Sequence, residues 1–208
     1  MNNIYRRDNG LAYICDDVIK QEQLQIKKLL RRFNEVMPFD MDESYKLIDE
    51  MGIKHGNNTY FEPPLYLEYG KHIEIGDNFY ANTNFTILDV AKVNIGDNVF
   101  IGPNTSLYTA GHPLHYLSRN AGLEYGLPIK IGNNVWIGGS VTILPGVSIG
   151  DNTVIGAGSI VSKDIPNNVI AVGNPCKVIR EINDNDLDYL YKNVKFDEEA
   201  LSIINKKR

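Results

Sequence analysis

Residues 131–161 read IGNNVWIGGSVTILPGVSIGDNTVIGAGSIV, and the period of this stretch decides the fold. Ile131, Ile137, Ile143, Ile149, Ile155 and Val161 hold one phase of a strict six. Val135, Val141, Val147, Thr153 and Ser159 hold the phase four residues later. Gly132, Gly138, Gly150 and Gly156 follow the aliphatic residue, and Leu144 interrupts that series. A helix is excluded, because six steps of about 100° leave successive aliphatic residues about 240° apart. One long strand is excluded too, because its side chains alternate every two residues. A short strand plus a turn, repeated every six residues, satisfies the pattern. Three such units make a triangular coil whose aliphatic residues stack inward from coil to coil, a parallel β-solenoid.

Toward the N-terminus the unit returns as Ile95-Gly96-Asp97-Asn98 and Ile75-Gly76-Asp77-Asn78. Two irregularities interrupt it. Phe85 to Val93 shifts the phase by two residues, and Tyr108 to Pro128 carries no repeat. A long loop leaving a rigid scaffold is an expected functional element. Residues 1–57 read as a helical segment. Asp16 or Asp17 suits a helix start, and Ile26, Leu29, Leu30 and Phe33 then follow helical spacing. Asp40 or Asp42 suits the start of a second helix, with Gly52 as its C-cap. The domain reading is a helical segment at 1–57, a β-helix at 58–180 with a loop inserted at about 108–128, and a charged tail at 181–208.

Composition agrees with many short strands and tight turns: 24 Ile, 23 Asn and 18 Gly. No apolar run approaches the roughly 20 residues of a membrane helix. Met1 to Gly10 contains Arg6, Arg7 and Asp8 without an apolar core, unlike a secretory signal. Cys15 and Cys176 form neither a disulfide framework nor a CxxC pair, which points to a reducing cytoplasm. The net charge of −5 argues against a general nucleic-acid binder.

Together these motifs resemble the maltose and galactoside O-acetyltransferase family. The likeness is carried by the helical N-terminal segment, Glu62-Pro63-Pro64, Tyr69-Gly70, Phe79-Tyr80-Ala81-Asn82 and Ile95-Gly96-Asp97-Asn98. It continues through Tyr108-Thr109-Ala110-Gly111-His112-Pro113, through residues 131–139, and through Gly173-Asn174-Pro175-Cys176-Lys177-Val178-Ile179-Arg180. The resemblance implies a mainly β fold, a left-handed parallel β-helix. It also implies acetyl-CoA as co-substrate, a homotrimer with active sites between adjacent subunits, a small-molecule hydroxyl acceptor such as a sugar, and no metal.

Acetyl transfer from a thioester to a hydroxyl needs a base for the hydroxyl proton and donors for the oxyanion. Histidine suits the base role. Of His55, His72, His112 and His115, only His112 stands in the Gly-His-Pro setting of the family's catalytic histidine. His115 reads as loop structure. Asn82 matches an asparagine near the acceptor and oxyanion, and its amide donates without titrating. Tyr80 shares its face. On the acceptor side the resemblance points to Asp16 or Asp17, with helix capping as the competing role. Gln23 replaces a basic family position, which leaves sugar preference open. Asp89 and Glu124 are further acceptor candidates by position, with a surface carboxylate as the alternative.

For the donor, Lys163, Lys177 and Arg180 match positions near the coenzyme's phosphates. Gly138, Gly139, Ala157 and Ser162 match positions beside its pantetheine arm, and β-helix corners need small residues as well. Trp136 resembles a tryptophan flanking that groove. Neither cysteine reads as a nucleophile, so direct attack without a covalent enzyme intermediate is expected. The competing readings are an acetyltransferase with an antibiotic or amino-acid hydroxyl as acceptor, a non-catalytic scaffold, and a γ-type carbonic anhydrase. The last needs three histidines on a metal, and the His112–His115 gap is shorter than that family's pair.

Overall fold

The computed structural model describes residues 1–206. Three stacked sheets run its length as the faces of a triangular prism. Face one stacks Lys54–His55, Ile73–Ile75, Val93–Ile95, Ile129–Ile131 and Ser148–Ile149. Face two stacks Tyr60–Phe61, Tyr80–Ala81, Phe100–Ile101, Trp136–Ile137, Val154–Ile155 and Val169–Val172, all parallel. Lys177–Glu181 closes that face antiparallel to Val169–Val172. Face three stacks Leu65–Leu67, Phe85–Leu88, Ser106–Tyr108, Thr142–Ile143 and Ile160–Val161. The chain visits the faces in the order one, two, three, so each coil contributes one strand to each.

The six-residue phase is the core. Ile131 to Val161 in steps of six are all buried, and so are Val135, Val141, Val147, Thr153 and Ser159. Each such aliphatic burial contributes on the order of 2 kcal/mol. At the edge between faces one and two, Asn58, Asn78, Asn98, Asn134, Asn152 and Asn168 adopt positive φ of 54–58°. Asparagine tolerates that conformation better than other side chains do. Each Asn amide donates to the side-chain oxygen of the next, at 2.9–3.1 Å. Successive partners are 20, 20, 36, 18 and 16 residues apart. The 36 contains the inserted loop. On face three the early coils use the longer strands Leu65–Leu67 and Phe85–Leu88, where a later coil uses Thr142–Ile143.

Helices α1 (Asn3–Asp8), α2 (Asp17–Val36) and α3 (Met41–Glu50) precede the solenoid. Asp16 caps α2 by accepting from the Ile19 N–H at 3.1 Å, and Asp40 caps α3 through Glu43 N–H at 3.0 Å. Gly52, at φ 79°, lets the chain leave α3. Ile26, Leu30 and Phe33 of α2, with Leu47 and Ile48 of α3, join the core cluster that continues through the coils. The helices therefore cover the open end of the prism.

Two features differ from a purely helical N-terminal segment. Lys54–His55 already pairs with Ile73–Ile75, so the first coil begins there. Tyr13–Ile14 is a strand that pairs with the inserted loop more than 100 residues later. Beyond Glu181 come a 3₁₀ turn at Asp184–Asp188, a hairpin of Tyr189–Tyr191 with Val194–Lys195, and a helix at Glu198–Asn205. Among the described residues no helix is long and apolar enough to cross a membrane.

Candidate active site

The inserted loop leaves at the edge between faces three and one. Thr109, fully buried, anchors it: its hydroxyl donates to Leu88 O at 2.6 Å and accepts from Ala91 N–H at 2.9 Å. The loop is a hairpin rather than an irregular excursion. Ala110–Gly111 pairs antiparallel with Leu123–Gly126, with Gly111 opposite Tyr125. A Cβ on Gly111 would lie 2.5 Å from the Tyr125 ring, so the glycine leaves that ring its place over the pairing. His112 follows directly on Ala110–Gly111, one residue past its last pair. Tyr13–Ile14 pairs with the other side of Leu123–Gly126, and the Tyr13 hydroxyl donates to Glu124 Oε2 at 2.8 Å. His112 itself is exposed. His115 caps the short helix Tyr116–Asn120 through Nδ1 and stacks on Tyr116 at 4.9 Å, a loop-shaping role.

Asn82 sits on a different edge, between faces two and three. Its backbone N–H donates to Ile101 O at 2.9 Å, and its side-chain oxygen accepts from Thr83 N–H at 2.8 Å. These bonds orient the side chain and leave its NH₂ free to donate among the described residues. Gly138, Gly139 and Ala157 lie on the same edge, coils later. A Cβ on Gly138 would fall 2.6 Å from Ala157 N, so the glycine is required for coil stacking. Ala157 and Gly158 are exposed, and nothing stands within 4 Å of a Cβ built on Gly158, so the edge presents open backbone to a ligand. Tyr80 projects from face two, stacked on Tyr60 at 5.7 Å, and Trp136 is 57% exposed on the same face.

The strand Phe85–Leu88 and its turns separate Asn82 from the edge that carries His112. At about 3.3 Å per residue the two edges are on the order of 15 Å apart. Within one chain, then, His112 and Asn82 leave the prism at different edges. Ser162 and Lys163, both exposed, share the His112 edge. Lys177 and Arg180 lie on the strand that closes face two. Lys163 and Lys177 make no ion pair among the described residues, whereas Arg180 donates to both oxygens of Asp186 at 2.8 and 2.6 Å. That pair, with a backbone bond from Asn183, holds the Asp186 carboxyl down at about 2.

Asp16 and Asp17 part company. Asp16 caps α2 and also accepts from Asn3 at 2.9 Å, and these bonds, Asn3 first, hold its carboxyl below the usual range. Asp17 stands in solvent, 3.3 Å from Lys20. Asp89 is not a surface carboxylate. It is fully buried, and its Oδ1 accepts from the Glu68 and Tyr69 N–H groups at 2.9 and 3.0 Å. Glu68, beside it, escaped the sequence reading. It looks like an outward residue after Leu65–Leu67, and only the packing of α2 and the hairpin half-buries it. Burial, then the charges of Asp89 and Glu124, push its carboxyl up to about 7. Gln23 donates to the Tyr69 hydroxyl at 2.9 Å. The Cys15 and Cys176 thiols are both pushed up by burial, which keeps them protonated and poorly nucleophilic.

Known proteins share this architecture. Residues 128–163 match the family described as bacterial transferase hexapeptide (six repeats). A galactoside O-acetyltransferase of Escherichia coli is 54% identical over 177 residues, 85% of this chain and 87% of that protein. One from Lactococcus lactis is 41% identical, covering 85% and 86%. Among solved structures, a galactoside acetyltransferase in complex with coenzyme A superposes with a TM-score of 0.89 at 49% identity, covering 95% of this chain and all of that one. A maltose O-acetyltransferase of Clostridium difficile gives 0.85 at 45% identity, covering 88% of this chain and 99% of that one. With a hexapeptide β-helix, an N-terminal helical cap and this degree of identity over most of its length, the chain belongs to the galactoside and maltose O-acetyltransferase family.

Proposed function

We propose that the protein transfers acetyl from acetyl-CoA to a hydroxyl of a sugar or similar small molecule, in sites formed between adjacent subunits of a homotrimer. One observation carries the reading: His112 and Asn82, two groups suited to one reaction, occupy different edges of the prism. A neighbouring copy that brings its Asn82 edge against the His112 edge completes the site.

In that site His112 takes the proton of the acceptor hydroxyl as its oxygen attacks the thioester carbonyl. The Asn82 NH₂ donates to the carbonyl oxygen as it becomes negative. His112 then returns the proton to the departing sulfur, so no enzyme-bound intermediate forms. Acetyl-CoA supplies the activated acetyl group. The open edge at Gly138, Gly139 and Ala157 has room for its pantetheine arm, with Trp136 alongside and Ser162 on the facing edge. Lys163 and Lys177 have ammonium groups free for its phosphates, and Arg180 would exchange Asp186 for one. Tyr80 and Glu124 line the acceptor end, and Asp89, buried, holds the Glu68 and Tyr69 backbone beside it. Asp16 or Asp17 would reach it only by surrendering the cap or crossing solvent. Both cysteines are free among the described residues, which suits a reducing cytoplasm.

Thiol release from acetyl-CoA, followed across glucosides, galactosides, maltose and small alcohols, tests the reading. Acceptor-dependent release is expected, with kcat falling at least about 100-fold in His112→Ala, the usual scale for a lost general base. Release that survives His112→Ala unchanged removes His112 from the mechanism.

A further inference from the structure

Three carboxyl groups, Glu68, Asp89 and Glu124, come within electrostatic reach of one another beside the inserted hairpin. Leu67 pairs with Ile87, so Glu68 and Asp89 leave neighbouring strands at the same edge. Glu124 approaches from the hairpin. Asp89 has no exposed surface, and its Oδ2 has no hydrogen-bond partner among the described residues. A buried acceptor left unpaired is costly, and a charged one more so.

The cations nearby do not resolve this. Arg7 is held by Asp8 at 2.8 Å and Glu22 at 2.7 Å, and both Arg7 and Lys27 act on Glu68 only through space. The His72 ring meets the Asp89 backbone carbonyl at 2.6 Å and Asp8 at 3.3 Å, and it acts on the Asp89 carboxyl only through space. The remaining neighbours, Cys15, Gln23 and the Tyr13 hydroxyl, are neutral. Burial also pushes the Asp89 carboxyl up, as it does that of Glu68. The cluster is thus poor at carrying its charge alone.

We propose that the acceptor end of the site binds an ammonium group, so that the preferred acceptor is an amino sugar or another cationic polyol. An ammonium offers three donors and a positive charge, which suit the half-buried carboxyl groups of Glu68 and Glu124, and its charge also offsets that of Asp89 buried beside them. A neutral sugar hydroxyl would satisfy one acceptor and leave the charge unbalanced. The inference rests on the acetyl-transfer reading above.

The test compares a glucoside with the glucosaminide of the same aglycone at pH 7, by thiol release, with products mapped by NMR so that only O-acetylation is counted. The glucosaminide is expected to have at least tenfold higher kcat/KM. Glu68→Gln, nearly isosteric and half-exposed, should cut that ratio at least fivefold, and a wild-type circular dichroism spectrum verifies its fold. Asp89→Asn provides a second variant with the same expected direction. A wild-type ratio near one, or a ratio unaltered in folded Glu68→Gln, overturns the ammonium site while acetyl transfer stands. No release with either acceptor overturns both.

Discussion

At Glu68 a single side chain shows how packing alters a residue that looks ordinary in sequence. In the alternation after Leu65–Leu67 it reads as a solvent-facing carboxylate. In the fold it lies beside buried Asp89 and near Glu124, and its carboxyl is pushed up to about 7. A carboxyl raised in the folded state stabilises the fold fully below its unfolded pKa. That contribution is lost as pH rises through the folded value. Stability should therefore fall between about pH 4.5 and about pH 7. The shift corresponds to about 3 kcal/mol at full burial, and partial exposure reduces it to about 2. Urea unfolding of Glu68→Gln should show a gain over the wild type that is about 2 kcal/mol larger at pH 8 than at pH 5. Parallel pH profiles for the two proteins would show that folding does not shift the Glu68 carboxyl.

At the scale of an element, the asparagine edge is where sequence and structure correspond most directly. The Gly-Asn turns at 76–78, 96–98, 132–134 and 150–152 are legible because the left-handed conformation restricts which residues fit. Asn134 combines two roles: φ of 55°, and side-chain bonds to Asn98 at 3.1 Å and Asn152 at 2.9 Å. Asn134→Gly removes the bonds and keeps the backbone freedom. Asn134→Ala removes the bonds and adds roughly 1–2 kcal/mol of left-handed strain. Denaturant melts should rank wild type above Gly and Gly above Ala. An alanine variant as stable as the glycine variant would contradict the conformational argument. The hairpin was less legible. Its partner strand Tyr13–Ile14 has two residues, too few for a period, and the pairing spans the chain.

At the scale of the whole molecule, the six-residue period announced the three-faced prism, because each inward position repeats its environment coil after coil. Residues 54–55 escaped it because one strand of a first coil has no preceding repeat to match. The site is legible differently. His112 and Asn82 stand out by motif, but no local pattern says which edge each occupies, and that placement separates them. The account therefore depends on a second copy, and mixed oligomers test it most directly. His112→Ala and Asn82→Ala chains, each inactive alone, are unfolded together in equal amounts, refolded and assayed for thiol release. If each site takes His112 from one chain and Asn82 from its neighbour, random assembly leaves roughly one site in four intact, and about a quarter of wild-type activity should return. Activity no higher than that of the separate variants, in mixed oligomers verified by mass, would contradict a site shared between subunits.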